Sequence, residues 1–316
     1  MISLLPFNAL LPSPAFAIDG VFTGTCKSIL KGEDGINQLD MMLANGYYTK
    51  DASAAIYIYQ VEADGRTQTG IWAQAATTGI KIHEQVLPEK IERIHKFRSR
   101  TGLEAKPVLL MYKPDAEIKK LIATVTTNTP HTTYHDDQKI HRLWHIDNEK
   151  LVFALIAEFA KIGSVYMADG HHRLAANPFE TLSALLMDTD EISVKPYHRL
   201  IKTTKDLDKY FQVLKADGPV FPQKKGYFGM LKDDRWYHLV ARRSKDYDTE
   251  TLASIFDYIE YTPEVKGAPG KLLFTLTPLH VNEVLKAADA GIILPPKSTW
   301  IEPKIPYGLL MNRHTL

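Results

Sequence analysis

Cysteine is almost absent from this chain, which has 316 residues and a single cysteine, Cys26. One cysteine excludes an intramolecular disulfide and any metal site built from several cysteines, and it is typical of a protein of the reducing cytoplasm. A large excess of charge of one sign is also missing, since the formal net charge is +1. The overall charge therefore gives no reason to expect nucleic acid or an acidic membrane surface as a partner.

Long apolar runs are missing as well. The segment from Met1 to Ala17 is apolar, but Pro6, Pro12 and Pro14 interrupt it and no lysine or arginine precedes Lys27. We therefore expect the first strand and loop of the fold there rather than a signal peptide. No other stretch approaches the length of a membrane span, and the sequence contains no Gly-x-Gly-x-x-Gly fingerprint, no P-loop and no Gly-x-Ser-x-Gly elbow.

What remains is a composition ordinary for a globular protein, 45% hydrophobic and 24% charged, and a length that suits two domains. Strand-like and helix-like segments interleave, with hairpin signals such as Asp64-Gly65 among them. The predicted class is α+β or mixed α/β rather than a purely parallel sheet. We expect an N-terminal domain over residues 1–200 and a C-terminal α+β domain over residues 201–316, in which Asp206 to Leu214 is predicted to be helical.

The most informative stretch reads YMADGHHRLAA and begins at Tyr166. The apolar run from Val165 to Ala168 predicts a buried strand, Asp169-Gly170 predicts a turn, and the alanine-rich segment that follows predicts a helix. The first N–H groups of a helix lack partners and carry the positive end of its dipole, which suits a phosphate. Glycine lets a ligand approach the backbone closely, so this turn is a candidate phosphate site.

The side chains of the turn point to the same chemistry. Arg173 adds a permanent forked charge, and His171 and His172 add donors or ligands. Asp169 adds a base or a metal ligand. A capped helix with surface histidines would give the same pattern, because aspartate is also a good N-cap, but four ionisable residues around one glycine are more than a cap needs.

Three further segments carry candidate residues. Glu84 follows His83 at a predicted strand end and is either a base or metal ligand or one half of a surface pair. The Tyr197 to Arg199 strand faces either the same cleft or solvent, and the loop after Pro295-Pro296 either touches phosphate or is a structural turn. No metal site is assigned. The possible substrate-binding residues are His83, His198, Arg199, Lys297, Ser298 and Thr299.

Nearly the whole chain resembles a known bacterial and archaeal family, domain of unknown function 1015. The stretches that carry this resemblance are PFNALLP, GRTQTGIWA, KIHE, YMADGHHRLAA, VKPYHRLI and LPPKSTWIEPKIPYGLL, in that order along the chain. Their order and spread make the resemblance specific, and it implies no established activity.

A narrower part resembles the ParB/sulfiredoxin-like fold and its free serine kinases. This part consists of IKIHEQV, a helix, KPVLLMY and VYMADGHHRLAA, with Lys113 to Gly163 as an insertion. The resemblance implies a ParB/sulfiredoxin-like core with a C-terminal α/β unit behind it. It also implies that Gly170, His172 and Arg173 hold nucleotide phosphates.

The same resemblance makes Glu84 and Asp169 the catalytic pair. The kinases often have two acidic residues in succession, whereas Gln85 follows Glu84 here. In sulfiredoxin the catalytic cysteine precedes the His-Arg pair; His171 stands at that place, which excludes sulfiredoxin chemistry.

The sequence thus predicts a cytoplasmic, nucleotide-dependent phosphotransferase that acts on a hydroxyl of a small metabolite such as an amino acid. ATP or ADP with Mg²⁺ is the cofactor that the resemblance implies, and neither nucleic acid nor a membrane is expected as a partner. One alternative is a non-catalytic nucleotide-binding sensor. Another is a metal-dependent hydrolase that uses Asp169, His171, His172 and His83.

Overall fold

The computed structural model describes residues 2–32, 34–136 and 138–316, so Met1 lies outside the described residues. The chain forms two compact units. Unit 1 comprises the chain up to Ile82, Val86–Ile192 and Pro303–Leu316, and unit 2 comprises His83–Gln85 and Ser193–Glu302. That the chain divides into two domains at residue 200 stays a prediction.

The described strands have between two and eleven residues. They are β1 (Leu4–Leu5), β2 (Leu10–Pro12), β3 (Tyr48–Lys50), β4 (Ile56–Ala63), β5 (Arg66–Ala76), β6 (Ile80–Lys81), β7 (Leu103–Glu104), β8 (Val108–Tyr112), β9 (Thr132–His135), β10 (Lys139–Ile146), β11 (Val165–Asp169), β12 (Thr181–Asp188), β13 (Ser193–Lys195), β14 (His198–Ile201), β15 (Phe211–Ala216), β16 (Tyr227–Lys232), β17 (Arg235–Ala241), β18 (Ile259–Thr262), β19 (Leu272–Thr275), β20 (Trp300–Glu302) and β21 (Asn312–Arg313).

The helices lie between the strands in both units. They are α1 (Pro14–Phe16), α2 (Thr25–Leu30), α3 (Gly35–Ala44), α4 (Pro88–Thr101), α5 (Ala116–Thr126), α6 (Glu149–Lys161), α7 (His171–Ala175), α8 (Asp248–Ile255) and α9 (Val281–Asp289), with a π-helical turn at Ala17–Phe22 and a 3₁₀ turn at Leu207–Lys209. Within the described ranges, no helix has the length and apolarity that a membrane crossing requires.

Unit 1 is built on a mixed sheet. Among the described residues nine strands form it, in the order β6-β11-β8-β12-β5-β4-β10-β9, with β1 paired to β5. Strand β11 is parallel to β6 and antiparallel to β8, and β12 is parallel to β8. The β4–β5 hairpin turns at Asp64 and Gly65, whose positive φ angles of 53° and 71° are those of a type I′ turn. Parallel and antiparallel pairs in one sheet confirm the predicted mixed α/β class.

Unit 2 has its own sheet, in the order β15-β17-β16-β19-β14-β18, and a separate β13–β20 pair. A cluster of buried side chains, including Phe211, Phe228 and Phe274, fills its core. Unit 1 has a larger buried cluster between its sheet and helices α5 and α6, including Ile58, Leu110 and Phe159. Each such side chain stabilises its unit by about 1.5–3 kcal/mol relative to exposure.

The predicted helix from Asp206 to Leu214 is wrong. The side chain of Asp206 caps only the 3₁₀ turn at Leu207–Lys209, and the chain then becomes β15, which pairs antiparallel with β17. Phe211 is buried and Gln212 is exposed, which is the alternation of a strand with one covered face. Pairing with β17 and burial of Phe211 therefore override the local helix signal.

Candidate functional site

Gly170 makes the turn between β11 and α7. The register of β11 against β8 shifts between Met167 and Asp169, so the strand ends in a bulge. Gly170 then adopts a φ of +110°, and a Cβ atom on it would lie 2.7 Å from Nη2 of Arg173. The backbone angle favours glycine, and the missing Cβ atom leaves room for the guanidinium group of Arg173, which agrees with the strand, turn and helix predicted here.

Asp169 is held by two cations. Its Oδ2 atom accepts from Nη2 of Arg173 at 2.9 Å, and its Oδ1 atom lies 3.3 Å from Nζ of Lys304. Burial alone would raise the pKa of this carboxyl, but the charges of Arg173, Lys304 and Lys106 hold its pKa far below the usual range. Asp169 is therefore ionised at neutral pH and is a weak base while these cations surround it.

The two histidines of the turn have structural contacts. His171 is buried at the start of α7. The Nε2 atom of His172 accepts the backbone N–H of Leu87 at 3.0 Å, just before α4 begins at Pro88. A ring nitrogen that accepts a hydrogen bond carries no proton, so Nε2 of His172 is unprotonated in this contact. The contact links α7 to the first turn of α4.

A cleft of about 570 Å³ opens beside this turn within unit 1. One part of its wall is apolar and includes Phe22, Ile94 and Phe97. Its carboxylate-bearing residue is Asp136, whose side chain accepts from backbone N–H groups and contacts His141. The rest of the charged lining is basic, and we call it the cationic cleft: Lys27, Lys31, Arg93, Arg98, Lys106, Arg173 and Lys304.

These positive charges act on one another. Burial and repulsion by Lys27, Arg93 and Arg173 lower the pKa of Lys31. Burial, together with repulsion mainly from Arg173, lowers the pKa of Lys106 to about 8. Cations that depress each other's pKa favour the binding of an anion, because it would relieve their repulsion.

Arg98 also lines the cationic cleft. It is buried, its Nη1 atom lies 3.3 Å from Oε1 of Glu104, and it donates to the carbonyl oxygen of Arg173 at 3.1 Å. Its charge is therefore already paired. The Nε atom of Arg173 is buried and, among the described residues, has no hydrogen-bond partner. A ligand oxygen at that atom would complete the hydrogen bonding of Arg173.

The cleft contains one residue that was predicted from the sequence, Arg173, and its other lining residues were missed. Its lysines and arginines are scattered from Lys27 to Lys304, and no local pattern connects them. The exception is the stretch EPKIPYGLL, which supports the family resemblance and contains Lys304 and Tyr307. That stretch is therefore a signal in the sequence from which part of the cleft lining could have been predicted.

Unit 2 brings together the other predicted residues. Oε2 of Glu84 accepts the backbone N–H of Ser298 at 3.2 Å, and Nη2 of Arg199 donates to the carbonyl oxygen of Lys297 at 3.0 Å. His83 lies 3.4 Å from Oγ1 of Thr299, measured from Nε2. These contacts hold the loop at Lys297, which has a φ of +61°.

The cluster in unit 2 is largely buried. Lys297 is half-buried, whereas the remaining members lie in the interior: His83, Glu84, His198, Arg199, Ser298 and Thr299. Burial raises the pKa of Glu84, although the backbone N–H groups and the charge of Lys297 oppose this effect. Burial and the neighbouring Arg199 lower the pKa of His198 to about 4. The substrate-binding role predicted for these residues stays a prediction, and their observed contacts pin the loop at Lys297.

The described residues offer no cluster of metal ligands. Across the described parts of the chain, no group of three or more histidine, cysteine, aspartate or glutamate residues could hold a metal ion. The positive lining of the cleft repels a bare cation. The geometry of unit 1 thus favours an anionic ligand over the metal centre of a hydrolase.

A protein-family model matches more than half of this chain. Residues 33–259 match the model of a family described as "Protein of unknown function (DUF1015)". No curated protein sequence matches the chain.

Several solved structures are distantly similar to this chain. "SbnI with C-terminal truncation from Staphylococcus aureus" is 11% identical, with a TM-score of 0.47 over 73% of this chain and 82% of that one. A mutant "Free serine kinase" in complex with ADP is 14% identical, with a TM-score of 0.44 over 76% of this chain and 92% of that one. A "Conserved hypothetical protein from Pyrococcus furiosus" is 14% identical, with a TM-score of 0.40 over 75% and 93%. At such scores and identities these likenesses support no statement about activity.

Proposed function

The chain belongs to the DUF1015 family of proteins of unknown function, and we propose that it is a nucleotide-dependent phosphotransferase that acts on a hydroxyl of a small metabolite such as an amino acid. The observation that carries this proposal is the cationic cleft beside the Asp169-Gly170 turn. Phosphoryl transfer asks a protein mainly for positioning and for positive charge around the transferring group. A cleft with this lining, next to an ionised carboxylate, offers both.

The cleft suits a nucleotide in size and in the arrangement of its lining. Its volume of about 570 Å³ lies within the range of roughly 300–1,000 Å³ that small-molecule sites occupy. The apolar wall at Phe22, Ile94 and Phe97 would take the base, and the basic wall would take the phosphates. The side chains of Lys27 and Arg93 make no ion pair or hydrogen bond to any described residue, so their charge is available to a ligand.

The turn would hold the phosphate nearest to the acceptor. Arg173 would donate to it through Nε, while Gly170 leaves room for the guanidinium group. His171 and His172, predicted to bind phosphate, would act at this turn. A phosphate that draws Arg173 away from Asp169 would raise the pKa of Asp169 and make it a better acceptor for the hydroxyl proton.

Glu84 is the other acid predicted from the resemblance. Its carboxylate accepts the N–H of Ser298 in unit 2, and its raised pKa would suit a base. Mg²⁺ would arrive with the nucleotide, because it usually keeps several waters and needs few carboxylates. Asp169 is the carboxylate of this turn that would meet such an ion. The predicted substrate contacts His83, His198, Arg199, Lys297, Ser298 and Thr299 are retained as part of this proposal.

A nucleotide-binding sensor is the second candidate, and one observation favours it. Both oxygens of Asp169 are engaged by cations, and Glu84 is engaged by backbone N–H, so both predicted bases have structural partners. A sensor needs the cationic cleft but no base. The two candidates therefore differ in product formation and agree in nucleotide binding.

The test is a search for product. ATP and ADP, each with Mg²⁺, are incubated with a panel of hydroxylated metabolites, and phosphorylated products are detected by mass spectrometry. We expect product with the wild type and with Arg100→Ala, a substitution on an exposed residue of α4 outside the cationic cleft. We expect roughly a 10²–10³-fold slower reaction with Asp169→Asn. Nucleotide binding without any product would support the sensor, and absence of nucleotide binding would contradict both candidates.

A further inference from the structure

Lys106 is a cation in the cleft wall without a carboxylate of its own. It lies between β7 and β8, directly before Pro107, and its side chain is half-buried. Among the described residues its ammonium group makes no hydrogen bond and no ion pair. A half-buried charge normally has such a partner, because removing it from water without one is costly.

The charged groups that act on Lys106 come from several segments. Arg173 on α7, Lys304 in the C-terminal segment and Lys27 on α2 are positive. Asp169 at the end of β11 is the opposing negative group, but Arg173 and Lys304 already occupy its two oxygens. Lys106 therefore lies in an excess of positive charge that an anionic ligand would relieve.

We infer that Lys106 binds the terminal phosphate of a polyphosphate ligand in the cationic cleft. The inference rests on the proposed function in one respect, namely that the cationic cleft is the phosphate site. Lys106, Lys304 and Arg173 all act electrostatically on Asp169, the predicted proton acceptor. The phosphate at Lys106 is thus the one nearest to the acceptor hydroxyl, which is the terminal phosphate.

The sign of the proton change follows from the charges. In the free protein, burial and the neighbouring cations lower the pKa of Lys106 to about 8, so about half of the molecules carry a neutral amine at pH 8. A bound phosphate stabilises the ammonium form and raises that pKa, so Lys106 itself gains close to half a proton in the complex. The same cations favour release of any proton that the polyphosphate still carries, and this release does not depend on Lys106. At pH 6.5 the amine is already protonated and contributes almost no uptake.

The experiment is calorimetric titration of the full chain with tripolyphosphate in the presence of a metal chelator. Each titration is run at pH 8.0 in two buffers with different heats of ionisation, because the difference in heat gives the number of protons exchanged. With Lys106→Arg, which keeps the charge but does not titrate, binding remains. We expect the wild type to take up about half a proton more than Lys106→Arg, and any proton released by the ligand itself cancels in this difference. With Lys106→Met, affinity falls roughly 10- to 100-fold.

Lys215→Arg and Lys232→Arg are the matched controls, since both are exposed lysines of unit 2 outside the cationic cleft. Both are expected to keep the proton exchange seen in the wild type. Loss of the uptake in either control rather than in Lys106→Arg would overturn the assignment to Lys106. Equal proton exchange by the wild type and Lys106→Arg, or no binding of tripolyphosphate, would also overturn it.

A second measurement uses only the wild type and so does not depend on the folding of a variant. A limiting amount of an amine-acylating reagent at pH 8 is followed by peptide mass spectrometry, with and without tripolyphosphate. We expect tripolyphosphate to protect Lys106 strongly and to leave Lys215 and Lys232, exposed lysines of unit 2, unchanged. Equal labelling of Lys106 in both samples would contradict the inference.

The outcomes separate this inference from the proposed function. If proton uptake depends on Lys106 while no acceptor is phosphorylated by ATP or ADP, the inference stands and the phosphotransferase proposal fails. If an acceptor is phosphorylated, Lys106→Arg takes up as many protons as the wild type, and tripolyphosphate does not protect Lys106 in the wild type, the proposal stands and the inference fails.

Discussion

The guanidinium group of Arg173 lies against the backbone of Gly170 while its Nη2 atom donates to Oδ2 of Asp169 at 2.9 Å. The carboxylate at the end of β11 and the cation on α7 thereby hold each other across the glycine. A phosphate that binds Arg173 has to compete with Asp169. Under our proposal this competition couples phosphate binding to the release of the predicted base.

Replacing Gly170 tests this arrangement. An alanine there would adopt a φ of +110° and place its Cβ atom 2.7 Å from Nη2 of Arg173. We expect Gly170→Ala to lower the free energy of unfolding by about 1–3 kcal/mol, measured by urea denaturation. We also expect weaker nucleotide binding, because Arg173 must move.

Gly163 is the matched control for that substitution. Among the described residues, no heavy atom outside its chain neighbours lies within 4 Å of a Cβ atom built on it. Gly163→Ala should therefore change the free energy of unfolding by no more than about 0.5 kcal/mol. Equal losses in the two variants would contradict the account of Gly170.

His198 gives unit 2 a predicted pH dependence. Its pKa in the folded chain is about 4, because of burial and Arg199, whereas an ordinary histidine titrates near 6.5. Between these values the unfolded chain binds more protons, so the free energy of unfolding falls as the pH falls. We expect this histidine to contribute a loss of about 2 kcal/mol or less between pH 7 and pH 5.

The measurement is urea denaturation at several pH values between 5 and 7. The His198→Gln variant should show a flatter pH dependence than the wild type. His238→Gln is the control, because His238 is exposed on β17, and it should leave the slope unchanged. An unaltered slope in His198→Gln would show that another group causes the pH dependence.

The structural role of Glu84 can be tested separately from its predicted role as a base. Its carboxylate accepts the N–H of Ser298, and glutamine keeps an acceptor oxygen of similar reach. We expect Glu84→Gln to unfold near the wild-type urea concentration, whereas Glu84→Leu leaves buried N–H groups unsatisfied and costs about 1–3 kcal/mol. If Glu84 is also the base, Glu84→Gln loses phosphoryl transfer while it remains folded. Equal stability of the two variants would contradict the contact.

How much could be predicted from the sequence depends on how local the signal is. The strand, turn and helix around Gly170 were predicted because an apolar run, an Asp-Gly pair and an alanine-rich segment lie side by side. The cationic cleft could not be predicted in this way, since Lys27, Arg93 and Lys304 meet only after the chain has folded. β15 was predicted as a helix because its pairing with β17 is not a local property.

The contacts of individual side chains could not be predicted from the sequence either. Sequence reasoning placed His172 beside a phosphate, and its Nε2 atom accepts the N–H of Leu87. It placed Glu84 at a strand end, and its carboxylate holds the loop at Ser298. Both partners are distant in sequence, so neither contact has a signature in the neighbouring residues.

Replacing Arg93 tests the claim that the cationic cleft binds a nucleotide. Arg93 is exposed, lines the cationic cleft and has no ion pair among the described residues, so its removal should not disturb the fold. Calorimetric titration with ATP and with ADP would compare the wild type, Arg93→Ala and Arg100→Ala, which lies on the same helix outside the cleft. We predict that Arg93→Ala weakens nucleotide binding roughly tenfold and that Arg100→Ala does not. Equal affinities in all three proteins, or no binding by the wild type, would contradict the claim that the cationic cleft is a nucleotide site.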